Sequence, residues 1–426
     1  MPLFPRPAKR AAAANSRWRA VAVAFFLAPL LSACTDADAA NENAPPATDD
    51  AKPSSEVTVA AAATPAPAPR AAPAPAPRPA PAFVSAPRPV APAHRPAPVA
   101  AAPAPSAALS QRVSLNSTFA QWGFTRDPKA PAGTAIWRKP AINVKVEFRR
   151  DKAEVVLNGT HVWLGAPVSE IGNTYSISRA DYDNTLLPVL APVSALGKQA
   201  PKRVRHVFLD PGHGGDDIGR ISPGTAPLPN EKSLNLDVAF RVKYILERRG
   251  VKVTLSRTRD VKMELGDRPA LAKKVGADIF VSIHFNSQGE TGNNVSGIET
   301  YVLAPQGQYS TNVAKGSITR TTLNSSDPGH ANNVRNTILG YQLQAALASK
   351  IGSGDRGLRR GRLAVLRRAT CPAVLIECGF LTNPAEAARI KLPAHREKIA
   401  QAIADGIFRY QKLMDSHAAA AGQRPP

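Results

Sequence analysis

The chain has 426 residues, an apolar fraction of 43% and a formal net charge of +22 at pH 7. The apolar fraction is sufficient for one sizeable hydrophobic core with additional segments. The charge favours an anionic partner, but the sequence has no zinc-finger spacing, no aromatic-rich RNA-binding strand and no basic helix repeat. These absences exclude the familiar nucleic-acid-binding classes, so we expect no nucleic acid as a partner and an anionic wall or membrane surface instead.

Residues 1–33 have the composition of a secretion signal. Basic residues from Lys9 to Arg19 precede an apolar stretch, Ala20–Ala33, that is too short to cross a bilayer comfortably. The stretch ends in LSAC, which resembles the lipobox of bacterial lipoproteins, where the cysteine becomes the first mature residue and receives the lipid. The resemblance implies lipidation of Cys34, and ordinary cleavage near Ala33 or later is the alternative. Thr35 stands where Asp would imply inner-membrane retention, so the expected location is the outer membrane.

Residues 34–108 are predicted to be a disordered linker rich in alanine and proline. Fifteen of the 41 prolines lie between Thr64 and Ser110, and no acidic residue occurs between Glu56 and Asp127. Alternating Ala-Pro prevents helix formation and favours extended polyproline II at about 3 Å per residue. Such a spacer could reach from a membrane anchor to the cell wall, although a plain solvated spacer is the simpler interpretation.

Residues 109–195 are predicted to form a small α+β accessory domain. AINVKVEFRR and KAEVVLNGTHVWLG alternate apolar with polar residues around tight turns, which is typical of short strands. GNTYSISRADYDNTLLPVL adds a strand and a short helix. This pattern loosely resembles the small domain at the front of copper amine oxidases and in many bacterial envelope proteins, where it is an accessory or binding module. His161 is predicted to be a strand-surface residue rather than a ligand.

Strand-like and helix-like patterns alternate over residues 203–414. Strands are predicted in VRHVFL, VKVTLS, DIFVSI, GIETYVL, AVL and AVLIE, and helices in SLNLDVAFRVKYILERRG, DRPALAKKVG, NNVRNTILGYQLQAALASK and AHREKIAQAIADGIFRYQKLM. This order predicts a three-layer α/β domain whose sheet is largely parallel and has helices on both faces. Residues 415–426 are predicted to be a disordered tail. Cys371 and Cys378 flank one apolar run and are predicted to be buried thiols, because the ends of such a strand are too far apart for a disulfide.

Polar side chains stand at four positions beside these apolar runs. His213 follows the first strand, Glu231 opens the first helix, His284 ends IFVSI and Glu377 ends AVLI. Functional sites of such sheets lie at the carboxyl ends of the strands. Two imidazoles and one carboxylate form a His₂Glu shell for zinc that leaves the fourth position open for water, and Glu377 then accepts the proton of that water.

Each of these residues alone has an ordinary structural interpretation. His213 and His284 suit plain loops, and Glu231 suits the first turn of a helix, where the helix dipole favours an acid. Glu377 is less easily explained, because an acid directly after AVLI lies near the interior. No short spacing such as HExxH supports a metal site. The prediction of a zinc site therefore depends on the placement of all four residues at one edge of the sheet.

Six segments, in order, resemble those of a known enzyme family. FLDPGHGG, NEKSLNL, SRTRD, ADIFVSIHFNS, GIETYVL and PAVLIECGFLTNPAEA resemble the zinc-dependent N-acetylmuramoyl-L-alanine amidases that trim bacterial peptidoglycan. The resemblance covers roughly Val204 to Met414. It implies zinc ligands at His213, Glu231 and His284 and a catalytic acid at Glu377, all without substitution.

The resemblance implies hydrolysis of the amide between N-acetylmuramic acid and the L-alanine of the stem peptide. Arg257 and Arg259 are candidates for contacts that support the ligands or for structural pairing. A wall-binding protein with an inactive enzyme domain and a zinc peptidase that cuts within the stem remain alternatives. A zinc assay distinguishes the first alternative from an active amidase. The identity of the newly freed amine distinguishes the second alternative from an amidase.

Some relatives of this family carry an inhibitory helix in the region between Leu303 and Asn333. Here that region is polar, has no helical apolar stripe and is predicted to be a loop, with His330 not a ligand. The expected partners are peptidoglycan and, through Cys34, a membrane, and the expected state is a monomer in the periplasm or cell envelope. The sequence leaves open whether an activator protein acts on the enzyme. It also leaves open whether the enzyme serves wall remodelling, cell separation or recycling.

Overall fold

One sheet of eleven strands runs through the computed structural model, which describes residues 111–220, 229–288, 294–311 and 323–422. The predicted signal, Cys34 and the predicted linker lie outside the described residues. The described residues belong to one compact unit.

The N-terminal part of the described chain combines short strands with short helices, and we refer to it as the accessory domain. Its strands are β1 (Arg112–Ser114), β2 (Thr125–Arg126), β3 (Thr134–Lys139), β4 (Val144–Arg149), β5 (Glu154–Leu157), β6 (Thr160–Trp163), β7 (Ser169–Ile171) and β8 (Thr174–Ser178). Its helices are α1 (Leu115–Gln121), α2 (Arg179–Asp181), a π-helical turn (Tyr182–Leu186), α3 (Leu187–Leu190) and α4 (Pro192–Leu196), with a 3₁₀ turn at Pro140–Ile142.

The C-terminal part alternates strands with longer helices. Its strands are β9 (His206–Pro211), β10 (Lys252–Leu255), β11 (Ile279–Asn286), β12 (Ile298–Leu303), β13 (Asp355–Gly361) and β14 (Ala373–Phe380). Its helices are α5 (Glu231–Glu247), α6 (Asp267–Lys274), α7 (Asn333–Ile351), α8 (Ala364–Arg368), α9 (Pro384–Lys391) and α10 (Pro393–Ala420), with a 3₁₀ turn at Pro328–Asn332.

The sheet order is β10-β9-β11-β14-β12-β13-β6-β5-β4-β3-β2, and β1, β8 and β7 form a separate small sheet. In the C-terminal part every neighbouring pair is parallel except β12 with β14. Helices α5, α7 and α10 cover one face through a large apolar core that includes Val238, Leu339 and Ile403. Helices α6 and α8 cover the other face through a smaller core that includes Ala272 and Leu366. The predicted three-layer, largely parallel α/β fold is therefore confirmed.

One predicted strand is wrong and another was missed. Residues of the predicted strand AVL lie in helix α8, and the strand in this region is β13, whose sequence is DRGLRRG. Its charged composition carries no strand pattern. Arg360 is nevertheless 1% exposed, because its guanidinium donates to the Asn184 carbonyl and to the hydroxyls of Thr185 and Thr337.

The accessory domain joins the sheet at β13. Strand β6 pairs with β13 in parallel, with Leu358 opposite Val162. The Tyr341 hydroxyl of α7 donates to the Leu157 carbonyl at 2.9 Å, and the Arg335 guanidinium donates to the Ala200 carbonyl at 2.6 Å. The large apolar core also continues from one part into the other, so the two parts share one interior.

The predicted disordered tail begins too early. Helix α10 continues to Ala420, and His417 and Ala418 are buried, so residues 415–420 are helical. The reason is packing: the helical apolar spacing extends past Met414 and the His417 ring contacts the Gly197 carbonyl. Within the described ranges no helix is both long and apolar enough to span a bilayer. Cys371 and Cys378 are free and buried, as predicted.

Candidate metal centre

The loop that follows β9 places His213 at the edge of the sheet. Its backbone adopts φ 61°, in the left-handed region, and the glycines on its C-terminal side, Gly214 and Gly215, also have positive φ. A Cβ on Gly212 would lie 2.1 Å from Cε1 of His284, so only glycine fits there. The crowded PGHGG sequence therefore allows the imidazole of His213, on this loop, to approach that of His284, on strand β11.

Two buried arginines fix this loop. Arg257 donates to the carbonyls of Pro211 at 3.0 Å and Gly212 at 2.9 Å, and to the Lys232 carbonyl in α5 at 2.7 Å. Burial lowers the pKa of Arg257. Arg259 contributes its backbone carbonyl, which accepts from Arg257 at 3.3 Å. The structure thus gives Arg257 the supporting contacts that the sequence predicted, and it places the Arg259 backbone beside them.

The second arginine is Arg268, from the first turn of α6. It donates to Asp210 Oδ1 at 2.7 Å and to the carbonyls of Pro211 and His213, each at 3.1 Å. Asp210 is fully buried and also accepts from the hydroxyls of Ser256 and Ser282. Since a buried carboxylate needs such partners, this cluster fixes the carboxyl end of β9.

Glu231 is the first residue of α5, directly after the N-cap residue Asn230, whose side chain accepts from Ser233 N. Its side chain is 3% exposed. Oε2 accepts from Arg220 N at 2.9 Å, and Oε1 faces His213 Nε2 at 3.1 Å and His284 Nδ1 at 3.0 Å. Glu231 therefore bridges the two imidazoles from the helix side.

His284 projects from β11 between buried apolar neighbours. It lies opposite Glu377 in the parallel register of β11 with β14. Its ring centroid is 4.9 Å from that of His213, with the ring planes at 79°. One ligand atom from each of His213, Glu231 and His284 lies within 4.8 Å of the others. The structure thus brings the three sequence-predicted ligands together.

The hydrogen-bonding surroundings of His213 fit a divalent cation. Its Nδ1 lies 2.8 Å from Asp217 Oδ1, while its Nε2 faces Glu231. A neutral imidazole can donate to only one carboxylate, so its other ring nitrogen would present a lone pair to an anion, and either a second proton or a metal cation removes this repulsion. When the protonated Nδ1 donates its hydrogen bond to Asp217, Nε2 is free to bind a metal, and this carboxylate–histidine arrangement is common at zinc sites.

The same contacts shift the pKa values of the candidate ligands. Burial lowers the pKa of His213, but its hydrogen bonds and attraction to Glu231 and Asp217 outweigh burial and raise it. Burial raises the pKa of Glu231, but the two histidines outweigh burial and hold that pKa well below its usual range. The Glu231 carboxyl is therefore ionised, as a metal ligand must be.

Glu377 lies next to this group without joining it. Its side chain shares the sheet face of His284 and is partly exposed, but its Oε2 atom is buried and accepts no hydrogen bond from the described residues. Burial, followed by the charges of Glu231 and Glu299, raises the pKa of Glu377 well above its ordinary value. A carboxyl with a free oxygen and a raised pKa is suited to accept and return a proton.

Sequence reasoning missed three residues around the site. Asp217 stands four residues after His213 and was visible in the same glycine-rich stretch. Arg268 has the sequence context of a helix-surface residue, and Glu299 that of an ordinary strand residue. Glu299 is 2% exposed and lies opposite Glu377 in the antiparallel register of β12 with β14. Only the tertiary structure shows the contacts of Arg268 and Glu299.

The two remaining histidines of interest lie away from the centre. His330 accepts from Asp327 N at 3.1 Å and contacts the Ala304 carbonyl with its other ring nitrogen, so both nitrogens have backbone partners. His161 lies on β6, as a strand-surface residue, and pairs with Glu154. Part of the region between Leu303 and Asn333, residues 312–322, is outside the described ranges.

The fold and the centre define a layered α/β domain with two histidines and one glutamate positioned for a metal and a free carboxyl beside them. The family model described as N-acetylmuramoyl-L-alanine amidase matches residues 207–409. The amidase AmiA of Escherichia coli (strain K12) is 31% identical over 246 residues, which are 53% of this chain and 82% of AmiA. This chain belongs to the N-acetylmuramoyl-L-alanine amidase family.

Two further relatives extend this comparison. The amidase LytC of Bacillus subtilis (strain 168) is 32% identical over 300 residues, which are 70% of this chain and 51% of LytC. The chain therefore spans about half the length of that relative. The crystal structure of an N-acetylmuramoyl-L-alanine amidase from Clostridium difficile 630 has 32% identity and covers 50% of this chain and 98% of its own, with a TM-score of 0.40.

Proposed function

We propose that this chain is a zinc-dependent peptidoglycan hydrolase that cleaves the amide between the lactyl group of N-acetylmuramic acid and the L-alanine of the stem peptide. The observation that carries the proposal is the convergence of His213, Glu231 and His284 beside a carboxyl oxygen of Glu377 that has no hydrogen-bond partner among the described residues. Family membership supports the reaction class and the substrate.

His213, Glu231 and His284 would hold the metal, with Asp217 orienting the His213 ring through Nδ1. Bound zinc would supply a Lewis acid that polarises the scissile carbonyl and lowers the pKa of water to about 7. Glu377 accepts one proton from the attacking water on its free oxygen. It then returns the proton to the leaving alanine nitrogen, so that this one residue serves as general base and then as general acid.

The test is Glu377→Gln, measured for zinc content, melting temperature and amide-cleaving rate on the same preparation. Glutamine is nearly isosteric but cannot take the proton, so we expect full zinc, a near-normal melting temperature and a rate about 10⁴-fold lower, the upper end for acid–base roles. His284→Ala is the companion variant and should lose both zinc and activity. Lost zinc in Glu377→Gln would make Glu377 a ligand, and a near-normal rate would refute its proposed role.

The bond that is cut is identified by mass spectrometry of digested wall sacculi. The proposal requires a newly freed amine on L-alanine and an intact lactyl carboxyl on the muramic acid. A new amine on any later residue of the stem would instead indicate a zinc peptidase. Wall binding with no released product from the zinc-loaded chain would indicate an inactive binding protein.

We further propose that the chain works in the cell envelope, anchored by lipid at Cys34 to the outer membrane. The basis is LSAC at the end of the apolar stretch. Cys34→Ala should release the protein from membrane fractions, while a matched Thr35→Ala variant stays bound. Equal sedimentation of both variants with membranes would refute lipidation at Cys34.

A further inference from the structure

A continuous row of residues crosses the sheet from the candidate metal centre into the accessory domain. Neighbours along the row lie opposite each other in the strand registers. From β11 to β4 the row consists of His284, Glu377, Glu299, Gly357, His161, Val156 and Glu147. The junction between Gly357 and His161 follows from the parallel pairing of Leu358 with Val162 one residue further on.

This junction between β13 and β6 is close and specific. His161 N donates to Asp355 Oδ2 at 2.9 Å, and Trp163 Nε1 donates to the Arg356 carbonyl at 2.9 Å. A Cβ on Gly357 would lie 2.8 Å from the His161 carbonyl oxygen, so the two backbones are in contact. The sheet face therefore continues from one part of the molecule into the other without a gap.

The row lies on the face opposite the large apolar core. Alternate residues of β5 and β6, including Val155, Leu157 and Val162, point into that core. Successive side chains of a strand point to opposite faces, so His161 and Trp163 point away from it. On this face the accessory domain has a pocket of about 500 Å³. Its charged and aromatic lining residues are Glu147, Arg149, Lys152, Glu154, His161 and Trp163.

The pocket is within reach of a polymer bound at Glu377. Strands β14, β12, β13 and β6 are successive neighbours in the sheet. Three strand spacings of about 4.8 Å place Trp163 roughly 14 Å from the strand of Glu377. Arg359 lies between Trp163 and Glu299, the residue opposite Glu377: its guanidinium carbon lies 4.6 Å from the Trp163 ring centroid and its Nε lies 3.5 Å from Glu299 Oε1.

The lining is balanced in charge, unlike the chain as a whole. The lining includes two acidic residues, Glu147 and Glu154, and two basic residues, Arg149 and Lys152. Arg149 pairs with Glu147 at 3.0 Å and His161 pairs with Glu154 at 2.7 Å. These pairs offer donors and acceptors to a neutral polar ligand, and the Trp163 ring offers an apolar surface. An anionic stem peptide would instead require an excess of positive charge.

We propose that this pocket binds the glycan strand of the substrate, at amino-sugar units beyond the muramic acid whose amide is cut. Hydroxyl and acetamido groups of the sugars pair with Glu154, His161 and Lys152, and a sugar ring packs on Trp163. The inference rests on the proposed function for the identity of the polymer. The accessory domain then selects polymeric wall over short fragments.

Binding is tested directly with a hexamer of N-acetylglucosamine, which contains no muramoyl–alanine amide. The full chain is titrated as wild type, as Val156→Trp, which adds bulk at a residue that lines the pocket, and as Glu154→Gln, which removes a charged acceptor. Lys129→Ala, at an exposed site of the same domain, is the matched control. We expect saturable binding that weakens at least roughly tenfold in Val156→Trp and roughly three- to tenfold in Glu154→Gln, with unchanged melting temperatures. No binding by wild type, or equal binding by all four proteins, overturns the proposal.

Cleavage rates provide the second test of the proposal. On polymeric glycan carrying stem peptides, Val156→Trp should raise KM and lower kcat/KM, while cleavage of a single muramoyl peptide stays at the wild-type rate. An equal loss on both substrates, or a loss that follows peptide length rather than glycan length, overturns the proposal. If wild type cleaves neither substrate, the proposed function fails, and the hexamer titration still decides the pocket.

Discussion

Arg268 and Asp210 form an ion pair at 2.7 Å beneath the loop that carries His213, with side chains 3% and 1% exposed. The same guanidinium binds two carbonyls of that loop. The pair therefore connects the interior of the sheet to the position of a candidate metal ligand.

Arg268→Ala should destabilise the fold and weaken zinc binding together. Removal of one partner leaves the buried Asp210 charge uncompensated, which costs about 3–5 kcal/mol of unfolding free energy. The loop also loses two carbonyl contacts, so His213 is less well positioned. Denaturant unfolding and zinc titration measure the two effects. The matched control is Arg138→Ala, because the Arg138–Asp127 pair is partly exposed and should be worth under about 1 kcal/mol. Equal losses in the two variants would contradict the assigned role of Arg268.

Asp217→Ala should lower zinc affinity while the fold stays intact. Asp217 is exposed and contacts the His213 ring at Nδ1, and loss of such a partner typically costs 10–100-fold in metal affinity. Its exposed neighbour Asp216 provides the control, and Asp216→Ala should bind zinc as wild type does. Competition with a chelator at fixed pH measures both. Identical affinity in the two variants would show that Asp217 does not orient the ring.

Much of the C-terminal fold was predictable because its strands are apolar and its helices are amphipathic. Strand β13 was not predictable from the sequence, because DRGLRRG has no alternating apolar pattern. Arg360 tolerates burial only because Asn184, Thr185 and Thr337, distant in sequence, supply its hydrogen-bond partners. Such compensation cannot be seen locally.

In the candidate site, too, some residues were predictable from the sequence and others were not. His213 follows β9, and His284 and Glu377 lie near the carboxyl ends of β11 and β14, so the sheet topology brings all three to one edge. Arg268 and Glu299 have their roles through side-chain contacts across strands and helices, and no spacing in the sequence encodes those contacts. The sheet row that enters the accessory domain likewise depends on the register of β6 with β13, which no sequence pattern specifies.

Asp237 links α5 to α10 and gives a pH-dependent prediction. Burial raises the pKa of Asp237, but hydrogen bonds from Arg241 and Arg396 outweigh burial and lower it. A carboxyl with a lowered folded-state pKa contributes stability above its ordinary pKa of about 3.9 and loses it as the pH falls. Asp237→Asn should therefore be less stable than wild type at neutral pH, by about 1 kcal/mol for this partly exposed pair, and the difference should shrink on acidification. Urea unfolding of both proteins across the pH range measures it. A difference that does not vary with pH would rule out the carboxylate charge as its cause.

Gly357 tests whether the accessory domain and the C-terminal part are one structural unit. Its φ is 94°, and a Cβ there would approach the His161 carbonyl to 2.8 Å. Gly352 is the matched control, because its φ is 66° and a Cβ there would meet nothing within 4 Å. Gly352→Ala should cost roughly 1–2 kcal/mol from left-handed backbone strain alone. Gly357→Ala adds a collision with a backbone that cannot move without separating β6 from β13. It should therefore cost more, and proteolysis between residues 197 and 205 should accelerate in that variant only. Equal unfolding free energies and equal proteolysis in the two variants would show that the junction is loose, and a loose junction could not carry the sheet row from Glu377 to the pocket.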